Sequence, residues 1–348
     1  MTNKYKSSAQ IIPVDSACGT VLAHDITEIR AGQFKGPSFR KGHVVGQEDI
    51  AHLKRLGKEH LFVLKIDEGE VHEDDAALML AKALSGTGVI FNGRPAEGKI
   101  GLKAEHRGLL KVDIKALTRL CLIPEICCAA RHNNVVVEKG DTVAATRAIP
   151  LIIDKDTLNS AVHIADSCGG IFSVKPFDAL KAGLIITGNE VFSGLIDDKF
   201  APILKKKLSF FGCEIERPLF SPDDRSRISS HIKTLLTAGA QIILVAGGMS
   251  VDPDDVSRLA IADAGAEDIV YGTSVLPGAM FLYGRIGKVP VLGVPACALY
   301  YKATVLDLIL PRVLAGEMIT RQDLAELAHG GLCLNCKTCR YPRCPFGK

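Results

Sequence analysis

Three observations predict an α/β fold with a three-layer parallel-sheet domain in the second half of the chain. Strand-length apolar runs, Gly183 to Ile186 and Ile242 to Val245, each end in a glycine-containing polar turn. Each turn leads within a few residues into a segment whose apolar side chains recur at helical spacing. Strands alternating with helices of this length imply a parallel sheet covered on both faces, and such sheets bind ligands beyond the carboxyl ends of their strands.

The elements follow in order. Residues 1–85 read as a mixed α+β region. Ile11 to Val14 and Thr20 to Ala23 are short apolar runs, Glu48 to Leu56 has helical spacing, and a helix over 71–85 carries Glu73, Asp74 and Asp75 in its first turn and stops at Gly86. Residue types in His72–Asp75 could bind metal, but neighbours on a helix point different ways, so a solvated helix start is expected. Residues 86–177 read as a small β-rich region, with strands at Leu109 to Val112 and Val135 to Val137 and a turn at Gly140–Asp141 before another strand. Residues 178–318 form the α/β domain. A helix carries Phe200, Ile203, Leu204, Leu208 and Phe211 and is closed by Gly212. A strand over Glu214 to Leu219 leads to Ser221–Asp224, and a helix with Ile228, Ile232, Leu235 and Leu236 ends at Gly239. Another helix starts near Asp254, strands lie around Val275 and from Val289 to Leu292, and a long helix runs from about Ala298 to Leu314. Residues 319–348 are a cysteine-rich tail, read as metal-binding.

Composition narrows the function. In 348 residues, 47% are hydrophobic and 23% charged, as in a globular protein with a filled core. A net charge of +3 is too small to argue for nucleic acid or an anionic membrane surface, and Lys205–Lys207 reads as a solvated helix face. The opening residues do not combine a basic start with an apolar run, and no apolar stretch could span a bilayer, so the expected location is cytoplasmic. Of eleven cysteines, Cys18, Cys121, Cys127, Cys128, Cys168, Cys213 and Cys297 are scattered in mostly apolar context and are expected to be buried and reduced.

Two loops carry chemistry. Thr187–Gly188–Asn189–Glu190 and Gly247–Gly248–Met249–Ser250–Val251 each follow an apolar strand and precede a helix. Glycines let backbone approach a ligand, and N–H groups at a helix start can hold a phosphate; two tight turns with no ligand remain the alternative. Asp252, Asp254 and Asp255 stand beside the second loop. Such carboxylates would repel a phosphate unless a metal such as Mg²⁺ bridges them, or unless they serve as helix caps, a role that fits Asp252 and Asp254.

With Phe220–Ser221–Pro222–Asp223–Asp224 and Leu276–Pro277–Gly278–Ala279–Met280, these loops give four ordered motifs, and residues from about 178 to 315 resemble the molybdopterin-binding domain shared by molybdopterin adenylyltransferases, molybdopterin molybdotransferases and gephyrin. The Pro13 to Ala23 stretch is faintly similar to the molybdotransferase entry segment. The resemblance implies that Thr187, Gly188 and Asn189 line a pterin or phosphate pocket with Glu190 near the metal or nucleotide. It implies that Gly247, Gly248, Met249 and Ser250 hold the phosphate, that Pro277 and Gly278 shape the closing loop, and that Asp255 and Asp223 are catalytic, Asp255 also binding Mg²⁺. Departures accompany it. The molybdotransferase pattern has Asp at Asn189, Gly at Asp252 and Pro-Gly-Asn-Pro at Pro295–Ala298, where Cys297 supplies a thiol instead; its Ser-Ala-Met-Asp-Gly segment is not visible.

In the tail, Cys333, Cys336, Cys339 and Cys344 are spaced C-x2-C-x2-C-x4-C before Pro345, which is similar to the bacterial ferredoxin run; a [4Fe-4S] cluster, a Zn²⁺ ion and a redox-active tail are the alternatives. Lys337, Arg340, Arg343 and Lys348 would offset thiolate charge.

The expected function is a molybdotransferase-type enzyme of molybdenum-cofactor biosynthesis. It would bind adenylylated molybdopterin with Mg²⁺, release AMP and place molybdate on the dithiolene, the phosphoryl chemistry being carried by electrostatic positioning. The alternative is a non-catalytic molybdopterin carrier or sensor whose tail reports redox state or recruits a molybdoenzyme or cofactor-assembly partner. A nucleotide pyrophosphatase on the same domain is a third reading. The resemblance also implies a homo-oligomer.

Overall fold

The computed structural model describes residues 10–30, 34–63 and 67–348, so part of the region read over 1–85 lies outside the described residues. The chain divides into two compact units, the first built from residues up to Val174 and the second from Lys175 to Lys348, with 107–109 and 132–136 also assigned to the second. No helix among the described residues is long and apolar enough to cross a membrane.

The first unit is organised by small sheets. Gln10–Pro13 pairs antiparallel with His60–Val63, and the helix Gln47–Arg55 turns Ile50 and Leu53 into a core shared with Val14, Leu22 and Ile26. A four-stranded antiparallel sheet runs in the order Val89–Phe91, Lys99–Ala104, Thr142–Ala148, Ile126–Ala130. The helix Glu73–Leu84 buries Ala76, Ala77, Leu80 and Leu84.

Its start is not solvated as the sequence suggested: His72 and Glu73 are buried. His72 is the N-cap. Its Nδ1 accepts from the Asp74 N–H at 3.1 Å and stands 2.7 Å from Lys41 Nζ, while Nε2–H donates to the Ala23 carbonyl at 2.8 Å. Burial holds its pKa below the ordinary value, so the imidazole is a neutral structural bolt. The scattered cysteines also depart from expectation: Cys18, Cys121, Cys127 and Cys168 are exposed, and only Cys213 of that set is buried. Cys127 shows the reason. It lies on the edge strand Ile126–Ala130, where alternate residues face outward whatever their polarity.

In the second unit, strands β1 (Lys181–Thr187), β2 (Glu214–Ile215), β3 (Leu219–Ser221), β4 (Ile242–Ala246), β5 (Glu267–Tyr271), β6 (Leu282–Ile286) and β7 (Val289–Val294) form one sheet. Its order is β2-β1-β4-β7-β6-β5, with β3 also on β1. The pairings of β1 with β2, β3 and β4, and of β4 with β7, are parallel. Only β6 runs against the rest. The expected parallel sheet is thus present, with one reversed strand and with strands at β5 and β6 in place of the one read around Val275. The expected strand over 214–219 is split into β2 and β3; Pro218, which has no N–H for a ladder, stands in the gap.

Alternation along the strands makes the three layers. Leu184, Ile186, Leu244, Ala246, Leu292 and Val294 face one core with α2 (Phe200–Phe210) and α5 (Val305–Leu314); α1 is the single turn Asn189–Phe192. Ile185, Ile243, Val245 and Val291 face the other, with α3 (Arg225–Thr237) and α4 (Ser257–Asp263). All these strand residues are essentially inaccessible, so trimming one such Ile or Leu to Ala costs about 2–5 kcal/mol. α5 begins later than the expected Ala298. A short 3₁₀ turn, Ala296–Leu299, precedes it, and Thr304 starts α5 with a capping box to Asp307, its N–H donating to Asp307 Oδ2 at 2.8 Å. The tail joins the first of these cores, through Phe346 together with half-buried Cys333, Tyr341 and Cys344.

Candidate functional site

The chain leaves β1 for β2 and β3 on one side and returns to β4 on the other, so the carboxyl ends of β1 and β4 flank the sheet's topological switch point. Both predicted loops sit there and touch. Gly247 has φ +98°, and a Cβ on it would lie 2.7 Å from both the carbonyl oxygen and Oγ1 of Thr187.

The first loop is closed by its own side chains. Thr187 is only 4% exposed; its hydroxyl lies 3.3 Å from the Ala246 carbonyl and 3.3 Å from Ser257 Oγ. Gly188 adopts φ +139°, and the Asn189 N–H that starts α1 donates to Asp223 Oδ2 at 3.0 Å. The reciprocal bond, from the Asp223 N–H to Asn189 Oδ1, is 3.2 Å. A carboxylate of the chain therefore already occupies the anion position of this turn. Asp224, next to it, is spent as the N-cap of α3.

The second loop opens onto a cavity of about 600 Å³. Gly248, Met249, Ser250 and Asp255 form one wall; Leu276 to Met280 form another; Pro295, Ala296, Cys297 and Tyr301 a third; Leu332, Cys333 and Asn335 of the tail a fourth. It lies at the carboxyl ends of β4 and β7, beside the entry to β6. Among the described residues, none of the N–H groups of Gly248, Met249 and Ser250 has a protein acceptor. Gly247 donates to Val294, and Ser257 to the Gly248 carbonyl, which fixes both ends of the turn. The Met249 carbonyl accepts from the Tyr271 hydroxyl at 2.7 Å. α4 starts at Ser257, later than expected, because Asp252 closes its own turn instead: it accepts from the Asp254 N–H at 3.1 Å through Oδ1 and from the Asp255 N–H through its carbonyl. Gly278 has no room for a side chain: a Cβ there would strike Val305 at the start of α5.

Of the residues picked from sequence, Gly248, Met249, Ser250, Asp255, Pro277 and Gly278 thus share the cavity, while Thr187, Gly188, Asn189, Glu190, Gly247 and Asp223 stand behind it. Sequence reasoning named the Leu276–Met280 motif but gave a role only to Pro277 and Gly278, and it missed Tyr301 and the tail wall. Cys297, read as a small buried residue, is half-buried and on the cavity surface.

Acidic groups gather around the two loops, with Asp255 on the cavity wall and Asp223, Glu190 and Asp254 off it. Burial pushes the Asp223 carboxyl above the usual carboxylate range; the Asn189 N–H opposes this, and the charges of Glu190, Asp255 and Asp254 add to the rise. A phosphate within about 4 Å of one uncompensated carboxylate meets repulsion on the order of 4 kcal/mol at an effective dielectric near 20. The open N–H turn is the better seat. Among the described residues no three His, Cys, Asp or Glu side chains are gathered closely enough to hold one ion, so the Mg²⁺ expected at Asp255 has no all-protein ligand set there.

Residues 183–315 match the family described as a probable molybdopterin binding domain, which bears out the resemblance read over 178–315. Residues 11–65 match a domain of unknown function. A CinA-like protein of Desulfosudis oleivorans is 35% identical over 89 residues, 26% of this chain and 21% of that protein; one from Mycobacterium sp. (strain JLS) is 25% identical over 95 residues, 27% and 23% respectively. The chain thus spans less than a quarter of the length of these relatives. Among solved structures, a CinA protein of Thermoplasma acidophilum superposes with TM-score 0.36 at 16% identity, over 39% of this chain and 98% of that one. The molybdopterin biosynthesis enzyme MoaB of Thermus thermophilus gives 0.35 at 18% identity, over 40% and 98%.

Proposed function

We propose that the molybdopterin-binding domain at 183–315 seats the phosphate of molybdopterin on the Gly247–Ser250 turn, and that the chain acts in molybdenum-cofactor assembly as a cytoplasmic, molybdotransferase-type enzyme. The observation that carries this reading is the row of N–H groups at Gly248, Met249 and Ser250 without an acceptor among the described residues, with a hydroxyl at Ser250, on the wall of a cavity of about 600 Å³. That volume suits a ligand of pterin size, and donors without protein acceptors in a concave site await an acceptor-rich ligand. Apolar side chains of Leu276, Met280 and Pro295 offer the flat contact that a pterin ring needs. On this reading Asp255, which lines the same wall, acts on an adenylate phosphoryl group, and Asp223 keeps its charge off the seat by pairing with the Asn189 N–H.

Equilibrium binding of molybdopterin, compared with its dephosphorylated form, tests the seat. Phosphate removal is expected to weaken binding at least tenfold. Ser250→Ala is expected to weaken binding of the phosphorylated form by about ten- to a hundredfold, as one hydrogen bond to a charged group is worth about 1.5–3 kcal/mol, and to leave the dephosphorylated form unchanged. Equal affinity for both forms overturns the seat. Transferase action is tested by AMP release from adenylylated molybdopterin with molybdate, and by its loss in Asp255→Asn. The second reading, a non-catalytic carrier, is favoured by the self-paired Asn189 and Asp223 and by Cys297 in place of the asparagine loop; it predicts tight binding with no AMP.

A further inference from the structure

We infer that Cys333, Cys336, Cys339 and Cys344 form a thiolate metal centre that fixes the tail wall of the ligand cavity. All four line a second cavity, of about 210 Å³, together with Lys337 and Arg340. Thiolates select thiophilic metals, and four of them around a divalent centre leave a net charge of 2 − 4 = −2, which two adjacent cations neutralise. As placed, no three of the thiols share one point. Cys333 and Cys344 are half-buried and anchored, whereas Cys336 and Cys339 lie on the exposed stretch 334–340. Closing that stretch onto the anchored pair completes the ligand set, each thiol losing its proton to solvent as its sulfur–metal bond forms.

The surroundings suit a metal-held loop. Residues 330–347 close on themselves, with the Gly347 N–H donating to the Gly330 carbonyl at 2.9 Å. They contain no helix and no strand longer than a bridge. Phe346, 3% exposed, and Tyr341, whose hydroxyl donates to the Asp307 carbonyl at 3.0 Å, are the apolar anchors. A loop with so small a core is typically stapled by disulfides or metal, and the tail thiols are all free. Leu332, Cys333 and Asn335 line both cavities, and the segment is bridged to the site: Leu276 N–H donates to Gly331 and Cys333 N–H to Leu276, each at 2.8 Å. A metal on Cys333 therefore holds a residue of the ligand wall itself. This inference does not rest on the ligand's being a pterin.

The test uses the full chain purified without oxygen, as wild type and as C336S/C339S, the exposed pair chosen so that the anchors stay. Zinc, iron and acid-labile sulfide are measured, with an absorption spectrum and amide hydrogen exchange. The expected wild-type content is about one zinc, or about four irons with matching sulfide and visible absorption, per chain; the double variant loses it. Exchange at Leu276 and Cys333 is expected to quicken about tenfold in the variant, while Leu244 in the central strand is unchanged. Wild-type protein with neither metal, or equal metal in both proteins, overturns the centre. Unchanged exchange at Leu276 and Cys333 overturns its role in the wall.

Discussion

The two strand-to-helix turns of the α/β domain look alike in sequence and do opposite things. After β1, the Asn189 N–H is taken by the Asp223 carboxylate and the Thr187 hydroxyl is buried against Ala246 and Ser257. After β4, three successive N–H groups face no acceptor among the described residues, and a cavity stands beside them. One turn supplies its own anion; the other leaves the place open. A glycine turn after a strand is therefore a potential anion seat, and the residue opposite decides whether it is a ligand site. Here that residue is Asp223, thirty-four positions along the chain from Asn189.

The contact between the turns gives the largest expected effect. Gly247→Ala places a methyl 2.7 Å from the Thr187 carbonyl, a backbone atom that cannot swing aside, at φ +98°. Strain of about 1–3 kcal/mol plus the clash should lower stability by at least about 3 kcal/mol and the thermal midpoint by roughly 6–12 °C. Gly239→Ala is the control: φ is +86° but the space is open, so only about 1 kcal/mol is expected. Equal losses in the two variants would mean that the turns do not press on each other. A smaller effect separates strut from seat. Thr187→Val keeps the shape but removes the buried hydroxyl, and should cost about 1–2 kcal/mol in denaturant midpoints while changing ligand affinity less than twofold. Ser250→Ala, exposed on the cavity wall, should show the reverse pattern.

What was legible follows the range of each signal. β1, β4 and the helices after them announce themselves by local alternation and helical spacing, because both faces of the sheet are buried. The reversed strand β6 was missed although it carried a sign: only Gly287 and Lys288 separate it from β7, a two-residue hairpin with Gly287 at φ +58°. The late start of α5 was also written locally, in Thr304 and Asp307. The tail wall was not. Leu276 and Leu332 meet across fifty-six residues through backbone bonds, which leave no pattern in side-chain type.

The smallest prediction probes the anion inside the first turn. Burial and the charges of Glu190, Asp255 and Asp254 hold the folded Asp223 carboxyl above its ordinary range. The folded state thus keeps the proton to higher pH than the unfolded chain does. Its contribution to stability is present below the unfolded pKa and is lost as pH rises through the folded one. At pH 7 the ionised group is a net cost in that position. Asp223→Asn keeps an oxygen to accept from the Asn189 N–H and removes the charge, so it should stabilise the domain near pH 7. Because the group is partly solvated, the gain is discounted to less than about 1 kcal/mol. It should shrink as pH falls through the raised pKa of the folded state, as the wild-type side chain takes up its own proton. Denaturation midpoints of the two proteins between pH 4 and pH 7 check this: curves that run parallel would show that no carboxylate charge is stored behind the cavity, and the contrast between the two turns would then rest on the Thr187 contacts alone.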